Sequence, residues 1–221
     1  ARRYEWTDIS LDDIRTVRKA FGCTVNDVAL ACVTGGFRRL LESRGEEAHP
    51  HTVRTLVPVS TRAPGTADVP GNEVSLLLPY LPVEIAEPRL RLAAVQDRLR
   101  TLKASHEADF GDTMTSWAAL GPFLPVNAGI RLGMHLPQQV ISTVTTNVPG
   151  PQQPLYCLGR QAREMLPYVP IAERVRIGIA MFSYDGTLSF GITGDFDAAR
   201  DLGLLAEGIA ASMQELLEAA R

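Results

Sequence analysis

Two β-forming segments separated by only two residues constrain the fold of this 221-residue chain more than any other feature. Val175–Tyr184 and Thr187–Thr193 are rich in β-branched and aromatic residues, and they flank the dipeptide Asp185-Gly186. An Asp-Gly loop of two residues favours a type I′ turn, whose twist matches that of paired antiparallel strands. The sequence therefore predicts at least one antiparallel hairpin.

Four segments carry the capping residues or the apolar periodicity of helices. Ser10 is a candidate N-cap, and Thr24 with Asp27 three residues later approximates a capping box. The predicted helices run from Leu11 to about Phe21, from the Thr24 cap to about Ser43, from Pro88 to about His106, and from about Ala198 to Ala220.

Further strands alternate with these helices. They are predicted at Val53–Val59, Asn72–Val83 and Val140–Thr146, and near Leu155–Leu158 and Glu164–Tyr168. The leucine-rich centre of Asn72–Val83 predicts burial on both faces. Helices alternating with strands, together with one hairpin, predict an α/β fold in a single domain, 1–221, with a mixed β-sheet covered by helices.

The composition excludes several classes of protein. The net charge is −3, and Lys and Arg are scattered, so the sequence shows no basic patch of the kind that binds nucleic acid. No Gly-rich phosphate loop, G-x-S-x-G elbow or H-E-x-x-H helix occurs. His49-Pro50-His51 lacks a third ligand nearby, so we expect no metal site, and Cys23, Cys32 and Cys157 are expected to be reduced thiols.

The most membrane-like stretch is Thr113–Leu136, but Pro122, Pro125, Asn127 and Arg131 interrupt it. It is therefore a poor match to about 20 uninterrupted apolar residues. Two alternatives stay open: ordinary core packing, or a pair of short helices that cap a lipid-sized pocket or dock on a membrane.

Two polar motifs are candidates for a site. Asn147-Val148-Pro149-Gly150-Pro151 closes the strand Val140–Thr146 and holds an amide side chain at a rigid strand end. Asn26-Asp27 falls in the first turn of a predicted helix, near unpaired N–H groups and the positive end of the dipole. The structural alternatives are an Asx-type turn for Asn147 and helix capping for Asp27.

These motifs, in order with Pro58-Val59-Ser60-Thr61-Arg62, Gly71-Asn72 and Tyr184-Asp185-Gly186, closely resemble the C-terminal half of the bacterial wax ester synthase/acyl-CoA:diacylglycerol acyltransferase family. The resemblance implies the C-terminal domain of a two-domain acyltransferase, with a chloramphenicol acetyltransferase-like fold. The family's catalytic motif His-His-x-x-x-Asp-Gly lies in its N-terminal half. The histidines here are His49, His51, His106 and His135, and no two are adjacent.

The missing histidine pair, and a start at Ala1 rather than Met, indicate that the chain is part of a longer protein. We expect it to be inactive alone and to need the N-terminal half as its partner. The resemblance implies supporting catalytic roles for Asn147, Asn26 and Asp27. It also implies substrate binding by Thr143, Thr145, Thr146, Arg62, Asn72, Pro149 and Gly150.

Strand alternation places Thr143 and Thr145 on one face and Thr146 on the other. Arg62 could pair with a phosphate of coenzyme A or form a structural ion pair. Acyl-CoA is implied as a substrate, with no permanently bound cofactor.

The implied activity is transfer of an acyl group to diacylglycerol or a long-chain alcohol, which gives triacylglycerol or wax ester. The implied location is cytoplasmic, peripheral at the inner membrane or on lipid droplets. Two alternatives remain at this point: a non-catalytic lipid-binding or partner-docking module of the same fold, and a condensation-type domain that accepts acyl groups from a carrier protein.

Overall fold

A computed structural model describes residues 1–60, 74–117, 143–171 and 175–221. The elements follow in the order β1 (Arg2–Ser10), α1 (Leu11–Phe21), α2 (Val25–Ser43), β2 (Thr55–Ser60), β3 (Val74–Leu77), α3 (Pro88–Trp117), β4 (Thr143–Val148), β5 (Tyr156–Cys157), β6 (Arg160–Gln161), β7 (Ile177–Tyr184), β8 (Thr187–Asp195) and α4 (Leu202–Ala219).

The described strands form a six-stranded mixed sheet in the order β1-β8-β7-β4-β2-β3 and a separate small ladder of β5 with β6. β2, β4 and β7 are parallel neighbours, whereas β3, β8 and β1 pair with their neighbours in the antiparallel sense. The carboxyl ends of β2, β4 and β7 therefore meet at one edge of the sheet. Ligands of open α/β sheets bind at such an edge.

The four described helices and one face of the sheet enclose a hydrophobic core. Ile177, Ile179 and Met181 of β7 belong to this core, whereas the alternate residues of β7 face the other side of the sheet. Helix α2 crosses α4 where Gly36 meets Gly208, and a Cβ at Gly208 would lie 2.9 Å from the Gly36 Cα. The two glycines let the helices approach closely enough to fill the core.

The local predictions of caps and turn are confirmed. Ser10 caps α1 by accepting from the Asp12 N–H, and Gly22 ends that helix with φ of 63°. The capping box of Thr24 and Asp27 begins α2. Asp185 and Gly186 have φ of 43° and 86°, the positive values that a type I′ turn requires between β7 and β8.

Two sequence-based predictions are wrong, and one strand was not predicted. β3 is an edge strand, and it is not buried on both faces, because Leu76 is 49% exposed while Leu77 is fully buried. Glu164–Tyr168 forms no strand; it crosses the outer face of the sheet, where the Pro167 carbonyl accepts from the Tyr4 hydroxyl at 2.8 Å. The first strand, β1, was not predicted at all.

The bounds of two helices also differ from the prediction. α3 continues past His106 to Trp117, and α4 begins at Leu202 rather than near Ala198. The apolar stretch Thr113–Leu136 lies outside the described residues except for the end of α3. Taken one at a time, the described helices are too short or too polar to cross a bilayer; α1 and α2 meet that criterion only as a pair bent by 102°.

Candidate functional site

The two asparagines singled out from the sequence meet at the carboxyl edge of the parallel strands. Asn147, near the end of β4, donates from Nδ2 to Oδ1 of Asn26, in the first turn of α2, over 3.5 Å. Both side chains are half-buried. We call Asn26 and Asn147 the amide pair, and it brings two distant sequence motifs into one site.

Asp27 is positioned differently from its neighbour. Its Oδ2 accepts from the Thr24 backbone N–H at 2.8 Å, and its own N–H donates to the Thr24 Oγ1 at 3.2 Å. The residue is only 8% exposed. Its carboxylate is therefore engaged in starting α2, and it acts on the site by fixing where Asn26 lies.

The three threonines of β4 divide between the two faces, as the alternation predicted. Thr143 and Thr145 are fully buried beneath the helices. The Thr145 hydroxyl lies 2.8 Å from that of Thr55 on β2, and the Thr143 Oγ1 has no hydrogen-bond partner among the described residues. Thr146 points to the opposite face and is half-buried. Of the three, it has the side chain that a ligand reaches most easily.

The two small residues after the strand also differ. Pro149 is exposed, whereas Gly150 packs so closely that a Cβ there would lie 2.2 Å from the Ser183 carbonyl oxygen. Its N–H donates to the Ser183 Oγ. Arg62 and Asn72 lie outside the described residues, so their roles stay predictions.

No thiol among the described residues has the character of a nucleophile near the amide pair. Burial raises the pKa of Cys32 to about 12. Burial, with the nearby Asp27 carboxylate, also raises the pKa of Cys23. Cys157 is exposed in the β5–β6 ladder. The described residues contain no group of three His, Cys, Asp or Glu side chains that could hold a metal ion.

Two histidines lie at the opposite end of the parallel strands from the amide pair. His49 and His51 precede β2, at the amino end of that strand, and the His51 ring packs edge-on against Tyr80 at 4.8 Å. His106 lies inside α3, and His135 is outside the described residues. The base that acyl transfer would need is therefore not found beside the amide pair in the described part of the chain.

Sequence reasoning missed the contacts of two hydroxyls: that of Ser183, at the carboxyl edge, and that of Thr55, in the core at the amino end of β2. Thr55 lies in a predicted strand, but nothing local indicates that it faces Thr145, 90 positions away. Ser183 comes directly before the Tyr184-Asp185-Gly186 motif. The motif predicts the hairpin, but it does not predict that the Ser183 hydroxyl accepts from the Gly150 N–H.

Comparison with known families identifies the family of the chain. The model of the WS/DGAT C-terminal domain matches residues 70–217, and that of the wax ester synthase/diacylglycerol acyltransferase catalytic domain matches residues 1–29. The chain belongs to the wax ester synthase/diacylglycerol acyltransferase family. The resemblance read from its motifs is thus confirmed.

Curated members of this acyltransferase family align with nearly the whole chain. A putative diacylglycerol O-acyltransferase of Mycobacterium bovis is 42% identical over 98% of the chain, and a probable diacylglycerol O-acyltransferase of Mycobacterium tuberculosis shares the same identity and coverage. Each alignment covers 47% of the relative. The chain therefore spans about half the length of these relatives.

Solved structures give the same fold. The wax ester synthase/diacylglycerol acyltransferase of Marinobacter aquaeolei VT8 matches with a TM-score of 0.76 at 23% identity, over 99% of this chain and 49% of that one. The first condensation domain of the CDA synthetase matches with a TM-score of 0.58 at 15% identity, over 100% and 46%. The predicted chloramphenicol acetyltransferase-like α/β fold is confirmed.

Proposed function

We propose that this chain is the C-terminal half of an acyl-CoA-dependent O-acyltransferase. The complete protein would esterify diacylglycerol to triacylglycerol, or a long-chain alcohol to a wax ester. Membership of the family supports this, as do relatives named diacylglycerol O-acyltransferase that are 42% identical over nearly the whole chain. Acyl-CoA and the acceptor alcohol are the two substrates.

The reaction forms one bond and breaks another at the same carbon. The alcohol oxygen attacks the thioester carbonyl carbon, the C–O bond forms, and the C–S bond breaks. A base takes the alcohol proton, which then returns to the departing thiolate and gives free coenzyme A. The family resemblance assigns this base to a histidine of the N-terminal half. The remaining need is a donor for the negative charge that develops on the carbonyl oxygen.

The contact between Asn147 and Asn26 is the observation that carries the proposal. The Asn147 amide has two N–H groups, and one of them is directed to Asn26 Oδ1 at 3.5 Å. The second would donate to the carbonyl oxygen as it becomes an oxyanion. Asn26 would hold the amide plane in position. The positive end of the α2 dipole, at the same edge, favours a developing negative charge there.

The other residues of the carboxyl edge would serve binding. Thr146 would contact substrate from the outer face of β4. Arg62 would pair with a phosphate of coenzyme A, and Asn72 would line the same cleft. The N-terminal half would close the cleft from the opposite side. Because both acceptors and both products are lipids, we propose that the complete enzyme works as a peripheral protein at the cytoplasmic face of the inner membrane or on lipid droplets.

Replacement of Asn147 in the complete protein tests the proposal. We expect Asn147→Ala to lower turnover by roughly 10- to 1,000-fold, as for the loss of one transition-state donor, with the melting temperature little changed. Asn147→Asp keeps the shape of the side chain but replaces the donor with an acceptor, so it should be at least as slow. Turnover and thermal unfolding are measured on the same preparations. Wild-type turnover with a lowered melting temperature would assign Asn147 to the fold alone.

A further inference from the structure

The turn that follows Asn147 is attached to the β7–β8 hairpin by hydrogen bonds from both ends of that hairpin loop. Ser183 Oγ accepts from the Gly150 N–H at 3.0 Å and from Gln152 Nε2 at 3.1 Å. Gln152 Nε2 also donates to the Gly150 carbonyl at 3.0 Å. On the far side of the loop, Gln152 Oε1 accepts from the Gly186 N–H at 3.1 Å.

The backbone itself continues this attachment. The Asp185 N–H donates to the Pro151 carbonyl at 3.2 Å. A Cβ on Gly150 would lie 2.4 Å from the Phe182 ring and 2.2 Å from the Ser183 carbonyl oxygen, which only glycine avoids. The turn therefore rests directly on β7, against the Ser183 carbonyl and the Phe182 ring. We call this set of contacts the hairpin clamp.

The hairpin clamp lies three residues from the amide of Asn147. Pro149 fixes its own φ near −65°, and the residue before a proline is held in an extended conformation, so little freedom remains between Asn147 and Gly150. Asn147 pairs with Met181 across the parallel ladder, two residues before Ser183. A shift of Gly150 on β7 would therefore be passed on to the direction of the Asn147 side chain.

We propose that Ser183 is a positioning residue for Asn147, and that its hydroxyl, together with Gln152, sets the direction of the Asn147 amide at the carboxyl edge. This inference rests on the proposed function. Ser183 acts through the turn and touches neither substrate in this account. Misplacement of a reacting group by about 1 Å can cost on the order of 100-fold in rate. Loss of the Ser183 hydroxyl, which would loosen the turn after Asn147, should therefore lower the turnover rate.

The experiment is a double-mutant cycle in the complete protein, with Ser183→Ala, Asn147→Ala and the double variant. We expect Ser183→Ala to lower kcat by about 10-fold with KM for acyl-CoA little changed, because the loss lies in orientation rather than in binding. Added to Asn147→Ala, it should cause no further loss, since a residue that acts only through Asn147 has nothing left to position. Ser183→Thr keeps the hydroxyl and should restore turnover.

Ser189→Ala is the matched control. Ser189 is a buried serine of β8, and its hydroxyl is not part of the hairpin clamp. If Asn147→Ala is slow but Ser183→Ala is as fast as Ser189→Ala, the positioning role is wrong while the proposed function stands. If the two losses multiply in the double variant, Ser183 acts independently and the inference is overturned. If Asn147→Ala itself has wild-type turnover, the proposed function and this inference both fail.

Discussion

The amide pair and the ion pair of Arg91 with Glu215 are two polar contacts of the same domain, and they differ in burial, in charge and in the number of their hydrogen bonds. Arg91 is 2% exposed; it donates to the carbonyls of Ile85 and Ala86, to Ser212 Oγ, and to Glu215 Oε2 at 2.8 Å. Arg39 donates to the other oxygen of Glu215 at 2.6 Å. Among the described residues, the amide pair makes a single side-chain hydrogen bond, of 3.5 Å.

The electrostatics of the two sites differ as well. Burial tends to raise the pKa of the Glu215 carboxyl, but hydrogen bonds and charge from Arg39 and Arg91 outweigh it and hold the pKa below its ordinary value. The two amides carry no charge and do not titrate. An ion pair with several further hydrogen bonds is typical of a stabilising interaction, whereas a neutral amide with one long contact at a strand edge retains the capacity to bind a ligand.

The largest expected effect on stability comes from removing the charge of Glu215. Glu215→Gln leaves the buried Arg91 guanidinium without its counterion, which should destabilise the protein by about 2 kcal/mol, less than for a fully buried pair because Glu215 is partly exposed. Urea denaturation of the complete protein measures this change. Glu218→Gln, at an exposed position of the same helix, should stay within about 0.5 kcal/mol. Equal effects of the two variants would show that the ion pair does not stabilise the fold.

A smaller difference in stability is expected between the Ala variants of Asp27 and of Asn26, its neighbour in the chain. Asp27→Ala removes a capping bond and should cost about 1 kcal/mol, whereas Asn26→Ala should cost less than about 0.5 kcal/mol. Thermal and urea unfolding measure both. Thr24→Ala removes the other half of the capping box and is the matched control. If Asp27 serves only to begin α2, the two capping variants should lower turnover equally; a much slower Asp27→Ala would give its carboxylate a role in the reaction.

The smallest expected effect is a dependence on pH. Because the folded-state pKa of Glu215 lies below the ordinary value of 4.5, its stabilisation is complete above that value and is lost as the pH falls through the folded pKa. The stability difference between the wild type and Glu215→Gln should therefore be constant near neutral pH and shrink in acid. The corresponding difference for Asn147→Ala should not change with pH. If the stability difference between the wild type and Glu215→Gln instead grew in acid, the assigned direction of the Glu215 pKa shift would be wrong.

The elements predicted well are those whose signals are local. The caps of α1 and α2 and the turn at Asp185-Gly186 depend on side chains within a few positions of the backbone groups they satisfy. β1 was missed because an edge strand with charged residues and mostly exposed side chains lacks apolar alternation, and only its pairing with β8 makes it a strand. Glu164–Tyr168 was taken for a strand on its composition, although it packs across the sheet rather than beside it.

The sequence by itself determined the caps of α1 and α2, the hairpin, the α/β class and, through its motifs, the family. Only the tertiary structure decided that Asn147 meets Asn26, 121 positions away, and that Thr143 and Thr145 lie in the core while Thr146 does not. The physical reason is the range of the interactions. Propensity and capping act between residues a few positions apart. The order of strands in the sheet depends on the packing of the whole core, and it is this order that brings the end of β4 to the start of α2.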